Sequence, residues 1–176
     1  GRSNHRMVVG PWEHASYVNP FSTSSNGVWE FGLEASSGVG LSGSLVLDWM
    51  DRWVKEETSD KSCGVRYWQM GENCWNEVDV WPPAGVETCW YLSSTGGDAA
   101  ARNEGELVLE APESQLADTF DYDPADPTPT VGGKILMPFI QLAGVYDQTP
   151  VEERSDVACY TSPVLTESVV VSGPVK

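Results

Sequence analysis

Six short runs of β-branched and aromatic residues dominate the chain after residue 62: Val65 to Met70, Thr88 to Leu92, Glu106 to Leu109, Ile135 to Met137, Val157 to Thr161 and Ser168 to Val171. Turn clusters such as Trp81-Pro82-Pro83, Gly96-Gly97-Asp98 and Val131-Gly132-Gly133 separate them. Runs this short have no helical period, and Pro and Gly at their ends stop them from growing. The stretch is therefore expected to be all β, folded as a sandwich of jelly-roll type. A sandwich of that kind wants about eight strands, so six runs predict an incomplete one. The spacing of the runs shows no repeat, which argues against a propeller or a solenoid.

The segment before them has a different texture. His5-Arg6-Met7-Val8-Val9 reads as a buried strand that stops at Gly10-Pro11. From Trp12 to about Gly40, Ser, Gly and Asn without a sustained period predict loop with one short helical turn. Leu41 to Glu57 is the clear helix: Val46, Trp49, Met50, Trp53 and Val54 form one apolar stripe. Asp48 with Arg52, and Asp51 with Lys55, are acid-before-base pairs one turn apart, each worth roughly 0.2 to 0.5 kcal/mol. Ser42 or Ser44 is placed to cap its start. Thr58 to Ser62 breaks the pattern, and the division predicted from texture is 1–59 and 60–176.

Ten Lys and Arg against 26 Asp and Glu leave a net charge of −16. Such a chain repels phosphate backbones and anionic headgroups, so nucleic acid and membrane surfaces are excluded as leading partners. The longest apolar run, Leu45-Val46-Leu47, is far below the ~20 residues that span a bilayer. Hydrophobic residues make up 40% of the chain and include eight Trp, enough for a packed core. Cys63, Cys74, Cys89 and Cys159 contain no C-x-x-C pair, and His5 and His14 are the only histidines. A metal site is not supported, and buried thiols are the simpler reading, with a disulfide as the lesser one. No cofactor motif is present.

Asp118, Asp121, Asp123 and Asp126 are dense enough to suggest calcium, yet lack EF-hand spacing, and their Asp-Pro steps are turn chemistry. Trp68, Trp75, Trp81 and Trp90 offer a stacking platform for sugars, which would make the β half a binding module. Trp in a small sandwich is more often core.

Gly10-Pro11-Trp12-Glu13-His14 is the segment in which chemistry concentrates. A strand end, a Gly-Pro turn and a loop His put an imidazole at the rim of a sheet, where α/β-hydrolases keep their general base. Such a His takes the proton of a Ser hydroxyl and returns it to the leaving group.

Taken in order, this pentapeptide, Leu47 to Lys55, Val65 to Trp75, Trp81-Pro82-Pro83, Tyr91 to Ser94, Asp118 to Gly133, Asp147-Gln148 and Val151 to Val157 resemble the cocaine-esterase-like and X-prolyl-dipeptidyl-peptidase-like serine hydrolases, which include α-amino-acid ester hydrolases and glutaryl acylases. The resemblance is collinear over nearly the whole chain. It implies the end of an α/β-hydrolase domain over 1–59, then a jelly-roll, galactose-binding-like sandwich over 60–176. His14 would be the base of a Ser-Asp-His triad, and Leu136 and Met137 would face the acyl pocket.

The substrate so implied is a small ester or amide, or a peptide in the X-Pro dipeptidyl-peptidase branch, with self-association compatible. The nucleophile elbow G-x-S-x-G is not in the sequence; Gly40-Leu41-Ser42-Gly43-Ser44 fails at its last position and follows the His. The nucleophile and the acid are thus expected in an N-terminal hydrolase portion upstream, and the chain alone is expected to be inactive.

Overall fold

A computed structural model describes residues 5–14, 25–37, 44–55, 64–94, 97–98, 105–114, 116–136 and 140–175. Chain contacts divide it into two compact units, Gly1–Pro83 with Gly132–Tyr146, and Ala84–Val131 with Asp147–Lys176.

The first unit is built on a three-stranded sheet in which β1 (Met7–Val9) pairs parallel with β4 (Val65–Gln69), and β4 pairs antiparallel with β5 (Cys74–Val78). β4 and β5 form a hairpin. Its turn uses Gly71 and Asn73 at φ 92° and 53°, the left-handed region these residue types tolerate, and the Asn73 N–H donates to the Gln69 carbonyl at 2.9 Å. Across the hairpin the Asn76 amide donates to the Gln69 side chain at 2.9 Å. A second hairpin, β2 (Ser25–Asn26) with β3 (Trp29–Glu30), precedes a single turn of 3-10 helix at Leu33–Ala35.

The core of this unit is Phe31, Ala35 and Trp68, with Trp75 packed against it. Trp68 and Trp75 meet edge to face with centroids 5.3 Å apart, and the Arg66 guanidinium lies 4.6 Å from the Trp75 centroid. The Trp75 indole N–H donates to the Glu34 carbonyl at 2.8 Å, which fixes the 3-10 turn on the sheet. These contacts make Trp68 and Trp75 core residues. Trp81 is half-buried and packs its ring on Tyr67 at 5.4 Å, while Trp90 is exposed. A platform of four exposed Trp is therefore not formed.

The helix α1 runs over Ser44–Val54, and Lys55 pairs with Asp51 at 2.6 Å as the i, i+4 spacing predicts. Ser42 lies outside the described residues. The apolar stripe behaves otherwise than expected: Val46, Met50, Trp53 and Val54 are exposed, and only Leu45 is buried. The face has the composition of a packing surface, but the described residues supply no layer over it.

In the second unit, β8 (Gly105–Val108) lies between β6 (Tyr91–Ser93), antiparallel, and β10 (Tyr160–Thr161), parallel. A further parallel pair joins β7 (Gly97–Asp98) to β9 (Asp118–Thr119). Gly105 is required by contact, since a Cβ there would lie 2.5 Å from the Tyr160 ring. The hydroxyls of Ser94 and Tyr160 both donate to the Asp118 carboxylate, which ties β6, β9 and β10 together. Those bonds hold Asp118 below the usual carboxylate range, Ser94 contributing most, and raise the Tyr160 phenol.

Two predicted strands are not strands. Ile135 and Leu136 lie in a turn, with Met137 outside the described residues, and Val169, Val170 and Val171 are exposed without a ladder partner among the described residues. β propensity makes a strand only where a neighbour takes its backbone groups. The thiols differ too: Cys89 is exposed, Cys74 and Cys159 are half-buried and all three are free, with Cys63 outside the described residues.

The segment 118–131 is anchored by Arg154, just after the short helix α2 (Thr149–Glu152). Its guanidinium grips Asp156 through two bonds of 2.7 and 2.9 Å and reaches the Asp126 carbonyl at 2.8 Å; the Thr128 hydroxyl donates to Asp156 Oδ2, which also accepts from Arg154, at 2.9 Å. The Arg154 bond, then that of Thr128, pulls the Asp156 carboxyl down to about 2. Because the folded value lies below the unfolded one, the stabilisation is complete above the ordinary aspartate range and is lost as pH falls toward 2. Arg154→Ala is expected to lower the melting temperature at neutral pH, with the gap from the parent shrinking between pH 5 and pH 2. Melting curves recorded across that range check it.

Candidate functional site

The strand end after β1 is turned by Gly10 and Pro11. A Cβ on Gly10 would lie 2.3 Å from the Trp12 ring, so only glycine lets that indole fold back over the turn. The Trp12 N–H then donates to the Ala35 carbonyl at 2.6 Å, and its ring tilts against Trp75 at 5.8 Å. Trp12 therefore pins the loop to the core, and Glu13 and His14, the next two residues, leave it on a fixed base. His14 is exposed.

The facing segment is held as firmly. Gly133 and Gly144 exchange backbone bonds of 2.7 and 3.0 Å, and Val28 donates to the Val145 carbonyl at 2.9 Å. Gly132 sits at φ 67° with the Gly144 carbonyl 2.4 Å from where a Cβ would be, so no other residue fits this bend.

Between the two segments, wholly within the first unit, lies a cavity of about 480 Å³ whose lining includes Glu13, His14, Lys134, Ile135 and Leu136. Two of the three residues singled out in the sequence, His14 and Leu136, thus share one cavity, although distant in the chain. Met137 lies outside the described residues. Lys134, Gly144 and Val145 also line it and carry no motif of their own in the sequence; the signal for Lys134 is its position directly after Gly132-Gly133 and two before Leu136.

An imidazole at the rim of a cavity with an Ile and Leu wall suits proton transfer beside an apolar group. Among the described residues, no group of three or more His, Cys, Asp or Glu is placed to hold a metal ion.

Residues 58–176 match the family described as the X-Pro dipeptidyl-peptidase C-terminal non-catalytic domain. The chain belongs to this family. It is also 35% identical over 174 residues to cocaine esterase of Rhodococcus sp. (strain MB1 Bresler), an alignment covering 97% of this chain and 29% of the esterase. The chain thus spans less than a third of that relative, and His14 lies before the segment that matches the non-catalytic domain. Among solved structures, an aminopeptidase from the marine sediment archaeon Thaumarchaeota archaeon is similar at a TM-score of 0.56 and 21% identity, over 86% of this chain and 22% of that one. That likeness is one of fold. Together these findings place the chain in the cocaine-esterase-like and X-Pro-dipeptidyl-peptidase-like family, where it matches the C-terminal region, and its described residues are rich in small sheets and poor in helix.

Proposed function

We propose that His14 is the general base and then the general acid of a Ser-Asp-His triad that cleaves ester or amide acyl bonds through an acyl-enzyme. In this reading the nucleophile and the acid come from an upstream α/β-hydrolase portion. Residues 1–59 complete that domain, and 60 onward form a jelly roll that closes one side of the pocket. The observation that supports it is the shared cavity of His14 and Leu136, which brings the base and an apolar wall for the acyl group to one place. Within the same mechanism, an X-Pro dipeptide would be an amide substrate. The exposed stripe of α1 is the surface on which an upstream sheet would pack.

The test joins the upstream part of cocaine esterase to this chain in place of the esterase's own matching segment. The joined protein is expected to hydrolyse p-nitrophenyl acetate, while the upstream part alone does not. Equal turnover by the upstream part alone would remove any role for this chain in the reaction.

A further inference from the structure

We propose that Trp12 is a positioning residue for His14, its indole N–H setting how far the imidazole reaches into the cavity; this rests on reading His14 as the base. Glu13 alone separates the two residues. The chain between the anchored indole and the imidazole is thus two backbone steps, about 7 Å at full extension, and a shift of the one is carried to the other.

The anchor itself is double. Trp12 donates to the Ala35 carbonyl at 2.6 Å and Trp75 to the Glu34 carbonyl at 2.8 Å, so two indoles hold consecutive carbonyls of one 3-10 turn. Their rings pack together with centroids 5.8 Å apart. Ala35 is wholly buried, at 0% exposure, so water competes little for the Trp12 bond. The turn stands without either donor: the Ala35 N–H reaches the Gly32 carbonyl, and the Ser36 N–H and hydroxyl both reach the Leu33 carbonyl.

The same turn leads to the facing wall. It follows the β2–β3 hairpin, whose bend at Gly27 and Val28 is bridged to Val145, and the adjoining Gly144 is bonded to Gly133. Residues 133–136, with the Leu136 wall, continue from that bridge. The turn Leu33–Ala35 is thus the common origin of both sides of the cavity, the indole bond placing the base and the hairpin placing the wall. Losing the Trp12 bond moves one side and leaves the other.

The two indole bonds share their chemistry and their turn, but only one leads to the imidazole. Trp75 sits within β5, none of whose described residues lines the cavity. That difference separates positioning from support. Proton transfer needs the imidazole within hydrogen-bond reach of the hydroxyl, and a misplacement of about 1 Å costs on the order of a hundredfold. Binding against Ile135 and Leu136 is indifferent to it. Trp12 also lines the cavity, so the informative change is to Phe, which keeps a ring and lacks the N–H.

In the joined protein described above, Trp12→Phe is expected to lower kcat on p-nitrophenyl acetate about ten- to hundredfold, with KM within about twofold. Trp75→Phe, which removes the neighbouring bond and keeps the ring, is expected to lower the melting temperature by as much and to leave kcat within about twofold. An unchanged kcat in Trp12→Phe, a loss carried by KM, or an equal loss of kcat in both variants overturns the proposal. Should the parent not turn over, the hydrolytic reading fails, and positioning is read from backbone amide order parameters of the 176-residue chain. Lower values at Glu13 and His14 in Trp12→Phe but not in Trp75→Phe support it; equal values in parent and Trp12→Phe, or the same fall in both variants, refute it.

Discussion

Replacing His14 with Ala in the joined protein is expected to lower kcat on p-nitrophenyl acetate by at least about a thousandfold, with KM nearly unchanged. The reasoning starts from the loop. Trp12 is tied to the Ala35 carbonyl and to the Trp75 ring, and both anchors stay when the imidazole is removed. The cavity wall of Ile135 and Leu136 also stays, which preserves ground-state binding. Proton transfer is lost, and an interaction made only in the transition state appears in kcat. His14→Gln, which keeps a polar side chain of similar size but no base, is expected to lose as much as Ala. A variant that raised KM and spared kcat would make His14 a binding residue.

The second large effect is on folding. Trp68→Ala is expected to destabilise the first unit by about 3 to 5 kcal/mol, read as a lower urea midpoint by Trp fluorescence. Trp68 is 7% exposed, sits on the central strand β4 and joins Phe31 and Ala35 to Trp75. Its loss removes the ring around which the hairpin and the 3-10 turn assemble. The indole Nε1 is buried without a hydrogen-bond partner, so the native residue already carries a desolvation cost of about 1 to 3 kcal/mol. Trp68→Phe keeps much of the ring and removes that orphan donor, and is expected to cost far less than Trp68→Ala. Equal losses in the two variants would show that the indole is held by a bond and not by packing.

These two residues also show what the sequence made legible. β4 is expected because Val65, Tyr67 and Trp68 are strong strand formers, whereas its partner β5 falls outside the six runs because Asn76 and Glu77 are poor strand formers. The hairpin is set by the left-handed Gly71 and Asn73 and by the Asn76 to Gln69 side-chain bond, none of which propensity reports. The opposite error occurs at Val169 to Val171, where propensity is high but no described strand pairs with them. Ile135 fails as a strand for a third reason: its N–H turns back to Gly133.

At the site, His14 stood out through its Gly-Pro turn, and Leu136 came only from family resemblance. That the two share a cavity depends on the Gly133 to Gly144 bridge and on the Val28 to Val145 bond, pairings that no local pattern encodes. The same bridge carries Lys134, which is why a lone Lys after two glycines gave no warning. In α1 the periodicity located the helix correctly but not what covers its apolar stripe, because the surface that buries a helix belongs to its neighbour.

The central claim is that His14 activates a serine supplied from upstream, and the labelling rate of the joined protein by a fluorophosphonate tests it most directly. That reagent reacts with a serine whose hydroxyl proton is being taken by a base. The expected result is rapid labelling with His14 present and a rate at least about a hundredfold lower in His14→Ala; labelling at the same rate in both would contradict it.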